Sequence, residues 1–171
     1  KGVLSKIDPA TNTVTAEVPI AAGSAGVTFG EGLVWVSSPE KNVLTAIDPK
    51  TAKVQFVTEV GPGPRFVTTG AGSGWSLNQG DGTLSRVDAK TGKPYWTHDL
   101  FAATWGSALL VDGKVFVGDE EGKLTIFKHD KKKEIIAEID MINSIYSSPM
   151  DANNVLYIAN KTHLFAIEVK E

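Results

Sequence analysis

The chain has 171 residues, enough for a single domain to bury about 70% of its unfolded surface without staples. Seventeen Lys and Arg against twenty Asp and Glu leave a formal charge of −3, and the charges are spread along the chain, which excludes a polyelectrolyte face for nucleic acid or an anionic membrane. Cysteine is absent, so neither a disulfide framework nor a thiolate metal centre exists. No apolar run approaches the ~20 residues of a membrane-spanning helix. Lys1-Gly2-Val3 opens directly on a strand pattern with no leader-like segment.

From the amino end, Gly2 to Ile7 alternates as a strand and Asp8-Pro9-Ala10-Thr11-Asn12 forms a turn. Thr13 to Ile20 then carries Val14, Ala16, Val18 and Ile20 on one face, which completes a hairpin. An Asp side chain at the turn accepts hydrogen bonds from N–H groups two or three residues on, and the following Pro presets φ. Asp48-Pro49-Lys50-Thr51 repeats that turn, and Asp88-Ala89-Lys90-Thr91-Gly92 repeats it without the proline. Small-residue connections follow at Ala21-Ala22-Gly23-Ser24 and Gly61-Pro62-Gly63-Pro64. After each come two more short strands, in the first case Gly26 to Phe29 and Leu33 to Ser37, separated by Gly30-Glu31-Gly32. Later copies of that last turn are Gly70-Ala71-Gly72, Val111-Asp112-Gly113 and Ala152-Asn153-Asn154.

Repetition outranks any local feature. Leu4, Leu44, Leu84, Leu124 and Leu164 are forty residues apart, and Trp35, Trp75, Phe116 and Tyr157 keep a step of forty or forty-one. A tandem unit of about forty residues with four antiparallel strands and no helical periodicity is a propeller blade. The fold class is therefore all-β, a β-propeller of four-stranded antiparallel blades with about four blades per chain. With strands labelled a to d outward from the axis, residues 1–171 form one propeller domain. It divides into 1–20 (partial blade, strands c and d), blades at 21–60, 61–100 and 101–140, and 141–171 (partial blade, strands a to c). The four ring aromatics fall in b strands and are expected in the core.

Thr13 to Ile20 can supply an outer strand beside His163 to Val169, yet Leu4 to Asp8 and Leu164 to Glu168 both read as c strands. Three arrangements stay open: a four-bladed ring with one displaced strand, two chains completing one eight-bladed ring, or a piece of a larger propeller. An open half-ring leaves unpaired edges that need covering.

Residues 2–92 resemble the YVTN and streptogramin-lyase-like propeller repeats through Ile7-Asp8-Pro9-Ala10-Thr11, Gly30-Glu31-Gly32, Val34-Trp35-Val36 and Gly61-Pro62-Gly63-Pro64-Arg65. Residues 93–171 resemble the PQQ-like (quinoprotein-type) repeats through Tyr95-Trp96-Thr97-His98-Asp99-Leu100, Trp105-Gly106-Ser107, Asp112-Gly113-Lys114-Val115-Phe116-Val117-Gly118-Asp119 and Ile145-Tyr146-Ser147-Ser148-Pro149. The change near Gly92, with blade phase kept, reads as a join between propellers of different parentage, as in a recombined or engineered chimera. The resembled families imply a periplasmic or extracellular setting.

Neither resemblance brings a catalytic set with it. The quinone enzymes hold their cofactor with a vicinal disulfide, calcium-binding carboxylates and a tryptophan floor, and this chain lacks the cysteines and the carboxylate cluster, so no cofactor is expected. The lyases use a histidine base near a metal. Here His98 lies in an outer strand, His129 in a c–d turn and His163 at the start of a c strand, all structural positions. Asp119-Glu120-Glu121-Gly122 reads as a solvated hairpin rather than a cation site, and Lys131-Lys132-Lys133 as a solvated tip; no metal site is expected. Trp105 and Tyr146 fall where d–a connections enter innermost strands, and Arg65 and Asn143 lie in matching connections. This channel rim is where a small ligand would bind, because loops converge there with aromatic, cationic and amide groups. The leading expectation is a non-enzymatic scaffold; the alternatives are a small-ligand or cofactor-binding propeller with its site at the rim, and a protein-interaction module.

Overall fold

The turns set the architecture. In the computed structural model, which describes residues 2–168, each predicted Asp turn is closed by its own carboxylate. Asp48 Oδ1 accepts the Lys50 N–H at 2.8 Å and its Oδ2 accepts the Thr51 hydroxyl at 2.9 Å. Asp8 accepts from the Ala10 N–H, and Asp88 from those of Lys90 and Thr91. The turn ends on a left-handed residue at Asn12, Ala52 and Gly92, with φ of 53°, 54° and 71°. A second, tighter turn recurs at Glu31-Gly32, Ala71-Gly72, Asp112-Gly113 and Asn153-Asn154. Both central residues have positive φ in every copy, the geometry that matches a two-residue hairpin to strand twist.

These turns fold the described residues into five antiparallel sheets. The first pairs β1 (Gly2–Asp8) with β2 (Thr13–Ile20). The second runs in order through β3 (Val27–Gly30), β4 (Leu33–Ser38), β5 (Val43–Asp48) and β6 (Lys53–Glu59). The third does so through β7 (Pro64–Gly70), β8 (Ser73–Asn78), β9 (Thr83–Asp88) and β10 (Pro94–Asp99). The fourth comprises β11 (Leu109–Val111), β12 (Lys114–Gly118), β13 (Lys123–Lys128) and β14 (Ile135–Asp140). The fifth has three strands, β15 (Met150–Ala152), β16 (Val155–Ala159) and β17 (Leu164–Glu168). A single 3-10 turn over Pro39–Lys41 is the one helical segment among the described residues. A bulge interrupts the pairing of the two outermost strands of each of the first four sheets, at Lys6/Ile7, Ala46/Ile47, Pro94/Trp96 and Ile126/Phe127. Bulges increase local twist, and here they are placed to twist the outer half of each sheet.

Sheets pack face to face in chain order through the repeated side chains. Trp35 and Leu44 of the second sheet cluster with Val67 and Val87 of the third. Trp75 and Leu84 cluster with Val115 and Val117 of the fourth, and Phe116 and Leu124 with Ile158 of the fifth and Ile145, which precedes it. The first sheet joins from the other side, Val18 and Leu4 meeting Val36 and Ile47. Glycine at position 74 has a packing cause: a Cβ there would stand 2.5 Å from Cζ3 of Trp35. The fold is thus an all-β propeller whose blades meet through one copied set of contacts.

Two expectations need correction. Tyr157 is half-buried rather than core, because no described sheet lies beyond the fifth to receive its ring. The strands containing residues 13–20 and 164–168 do not pair: β2 bonds β1 and β17 bonds β16, in separate sheets. Residues 169–171 of the predicted last partial blade, and the predicted strand end at Val169, lie outside the described residues.

Candidate functional site

The connections that enter the innermost strands are held between the b–c hairpins of neighbouring sheets. Gln79 Nε2 donates to the Thr104 carbonyl at 2.8 Å, and the Glu120 N–H donates to the Ala103 carbonyl at 2.9 Å. One sheet further on, the Ile145 N–H donates to the Asp119 carbonyl and the Lys161 N–H to that of Ser144. Each connection thereby rests on backbone hydrogen bonds, and the side chain at its end projects to the surface.

Of the four predicted rim residues, the structure brings together Trp105 and Tyr146. Their rings meet edge to face with centroids 6.1 Å apart, and both are exposed. Each ring is matched by a charged residue fifteen positions later, in the b–c hairpin of its own sheet. Trp105 Nε1 donates to Glu120 Oε2 at 3.0 Å, while Lys161 Nζ stands 5.0 Å from the Tyr146 ring centroid, within cation–π range. Asn143 lies three residues before Tyr146, but its side chain is used locally, Oδ1 accepting the Ser144 N–H at 2.9 Å. Arg65 occupies the equivalent place one sheet earlier on β7. Its carbonyl accepts the Ser37 hydroxyl at 3.1 Å, and among the described residues no hydrogen bond or ion pair reaches its exposed guanidinium. The residue fifteen positions after it is Gly80, so the charged side chain that the next two sheets carry at that position is missing here. Glu120 as a rim residue and Lys161 at all were missed in the sequence; the constant offset from the aromatics was the signal available for both.

The inner backbones approach closely. The Ser107 N–H donates to Ser148 Oγ at 2.8 Å, and a Cβ at Gly106 would stand 2.7 Å from the Ser147 carbonyl carbon. The two exposed aromatic side chains therefore stand beside a tight collar of small residues.

The histidines lie apart from this aromatic pair. His98 lies on β10 with its ring edge-on to Phe127 at 5.0 Å, and burial lowers its pKa, with Lys133 the next cause. His129 is exposed, and His163 Nδ1 lies 2.8 Å from the Thr162 hydroxyl. Among the described residues no three His, Cys, Asp or Glu side chains form a metal-holding group. The acidic hairpin differs from a fully solvated turn: Asp119 is buried, and its Oδ1 accepts the N–H groups of Glu121 and Lys123 at 3.0 and 2.9 Å. Burial raises its pKa against those hydrogen bonds. Asp119 closes the hairpin as Asn160 does in the fifth sheet, where Oδ1 accepts from Thr162 and His163. The Lys131-Lys132-Lys133 tip is exposed.

Against known proteins, the family model described as outer membrane protein assembly factor BamB matches residues 1–171. The crystal structure of BamB from Moraxella catarrhalis is similar with a TM-score of 0.78 at 19% identity, covering 96% of this chain and 51% of that one. The chain thus spans about half the length of that relative. Two computationally designed proteins are also similar. Ika4 has a TM-score of 0.75 at 11% identity, with 90% of this chain and 96% of that chain covered. Ika8 has a TM-score of 0.70 at 11% identity, with 85% and 46% covered. No curated protein matches the sequence.

Proposed function

Because the chain belongs to the propeller family described as outer membrane protein assembly factor BamB, we propose that it is a non-enzymatic β-propeller scaffold. We further propose that its 171 residues form a single propeller domain, built of blades from two parentages that meet near Gly92. The observation that carries the scaffold reading is the rim. Its aromatics, Trp105 and Tyr146, are exposed and braced by Glu120 and Lys161, and among the described residues no group of three His, Cys, Asp or Glu side chains stands beside them. The change of turn chemistry after Asp88-Ala89-Lys90-Thr91-Gly92 supports the two parentages. The family's described role in assembling outer-membrane proteins favours a surface that contacts other polypeptides over one that turns over a substrate.

A second reading, a small ligand or cofactor held at the rim by Arg65, Trp105, Asn143 and Tyr146, is favoured by the unpaired guanidinium of Arg65 and the exposed aromatic pair. A thermal-shift screen with divalent metals, quinone and small anions separates the two. The scaffold reading predicts no saturable shift. A saturable shift abolished by Arg65→Ala or Trp105→Ala would replace it with the ligand reading.

A further inference from the structure

Between the second and third sheets lies a cleft of about 340 Å³, lined by Glu31 and Leu33 at the a–b turn, Gln55 and Phe56 on β6, and Lys90 and Thr91 of the next sheet's Asp turn. Ligand pockets usually enclose ~300–1,000 Å³, so this one suits a small molecule. The repeat shows what such a place holds. Ala46 pairs across the second sheet with Trp35 and Phe56, and forty residues later Arg86 pairs in the same register with Trp75 and Trp96 of the third. The Arg86 guanidinium turns to its own a–b turn, donating to Ser73 Oγ at 2.9 Å and to the Ala71 carbonyl at 3.1 Å. Its Cζ stands 4.6 Å from the Trp75 ring centroid and 5.2 Å from that of Tyr95. Ala71, Ser73 and Tyr95 are the counterparts of Glu31, Leu33 and Gln55. The cleft is thus the same place in the previous repeat, with the long cation replaced by the methyl group of Ala46 and the tyrosine by glutamine.

The charges around the cleft differ from those around Arg86. Glu31 stands where the third sheet has alanine, and its Oε1 accepts the Gly72 N–H at 3.1 Å, which holds the carboxylate at the cleft. Lys90 stands where the fourth sheet's turn has Asp130. The two do not pair with each other, and among the described residues no hydrogen bond or ion pair engages Glu31 Oε2 or Lys90 Nζ. Both charges are therefore available to a ligand. We propose that the cleft binds a free basic amino acid with the chemistry of arginine. Its guanidinium meets Glu31 in the place that Arg86 fills one repeat later, its methylene stem lies against Leu33 and Phe56, and its carboxylate meets Lys90. A planar guanidinium presents two parallel N–H donors to a carboxylate and packs well beside an aromatic ring. Gln55 and Thr91 supply amide and hydroxyl groups for the α-ammonium. None of Arg65, Trp105, Asn143 and Tyr146 lines this cleft, so the site is independent of whether the rim binds anything.

Titration of the nitrogen-15-labelled full chain with L-arginine, followed by backbone amide shifts, tests it. Saturable shifts are expected at Glu31, Gln55, Gly72, Lys90 and Thr91. Agmatine, which lacks the carboxylate, and L-citrulline, which lacks the side-chain charge, are each expected to bind about tenfold more weakly, the weight of one charge-assisted hydrogen bond. Equal binding of the three, or L-arginine shifts that fail to saturate or fall elsewhere, overturns the proposal. Glycyl-L-arginine carries the same carboxylate and guanidinium on a chain end; binding as tight as that of L-arginine overturns the free amino acid as the ligand. The double variant Ala46→Arg/Gln55→Tyr builds the third sheet's side chains into the cleft and is expected to abolish binding. Should it fail to fold, Glu31→Gln replaces it. The amide carbonyl still accepts the Gly72 N–H, so an unchanged circular dichroism spectrum is expected while L-arginine binding falls about tenfold. Undiminished binding by the variant measured overturns the place assigned to the ligand.

Discussion

Replacing the repeated leucine by alanine, one repeat at a time, separates a packed sheet from an uncovered one. Leu44, Leu84 and Leu124 are 0% exposed, while Leu164 at the same repeat position is 69% exposed. Removing a fully buried leucine side chain to the β-carbon costs about 2 to 5 kcal/mol, transfer and cavity together. At Leu164 only about a third of a transfer term near 2 kcal/mol is at stake, and no cavity closes behind it. The expected cost is about 0.6 kcal/mol. Urea denaturation of the four variants at one protein concentration, followed by tryptophan fluorescence, gives the differences from the midpoints. Leu44→Ala, Leu84→Ala and Leu124→Ala are each expected to lose several times more stability than Leu164→Ala. Equal losses at Leu124 and Leu164 would refute the inference that each sheet is stabilised by the face of the next.

Asp88→Asn tests turn closure through pH. The Tyr95 hydroxyl first, and then the Thr91 and Lys90 N–H groups, hold the Asp88 carboxyl below the ordinary carboxylate value. Its charged form therefore stabilises the fold above the unfolded value near 4, and that contribution is lost as pH falls toward the lower folded value. The variant is expected to be less stable than the parent at neutral pH, with the gap closing below about pH 4; a gap independent of pH would contradict this. Arg86 tests the opposite case. It is buried, donates through Nε to Ser73 Oγ at 2.9 Å and through Nη2 to the Ala71 carbonyl at 3.1 Å, and stacks on Trp75 at 4.6 Å. Its Nη1 has no partner among the described residues. Because an unpartnered buried polar group opposes folding, Arg86→Met is expected to unfold at the same or a higher urea concentration. A lower midpoint would show that the guanidinium is a net stabiliser.

The features that are local and periodic were legible in the sequence. An Asp four positions after the repeated leucine closes a turn by hydrogen bonds within a few residues, and Glu31-Gly32 or Asp112-Gly113 adopts positive φ wherever it occurs. Strand order followed, because each unit folds as a meander. Features that depend on a neighbouring sheet were not legible. Tyr157, like Phe116, is an aromatic residue between two aliphatic ones, just past a hairpin turn, yet its burial depends on whether another face arrives. Asp119 sits in an acidic run that reads as solvated, but the connection before β15 closes over it, the Ile145 N–H reaching its carbonyl. At the rim, the meeting of Trp105 with Tyr146 follows from adjacent sheets converging at the axis. Arg65 gains no such partner, because its sheet carries Gly80 where the next two carry Glu120 and Lys161.

The most direct test of a copied sheet repeated around an axis is a set of nuclear Overhauser contacts between clustered side chains of successive sheets. Contacts from Trp35 to Val67, from Trp75 to Val115 and from Phe116 to Ile158 are expected together. Absence of these cross-peaks, or their replacement by contacts between sheets that are not consecutive, would contradict the architecture and every inference drawn from its register.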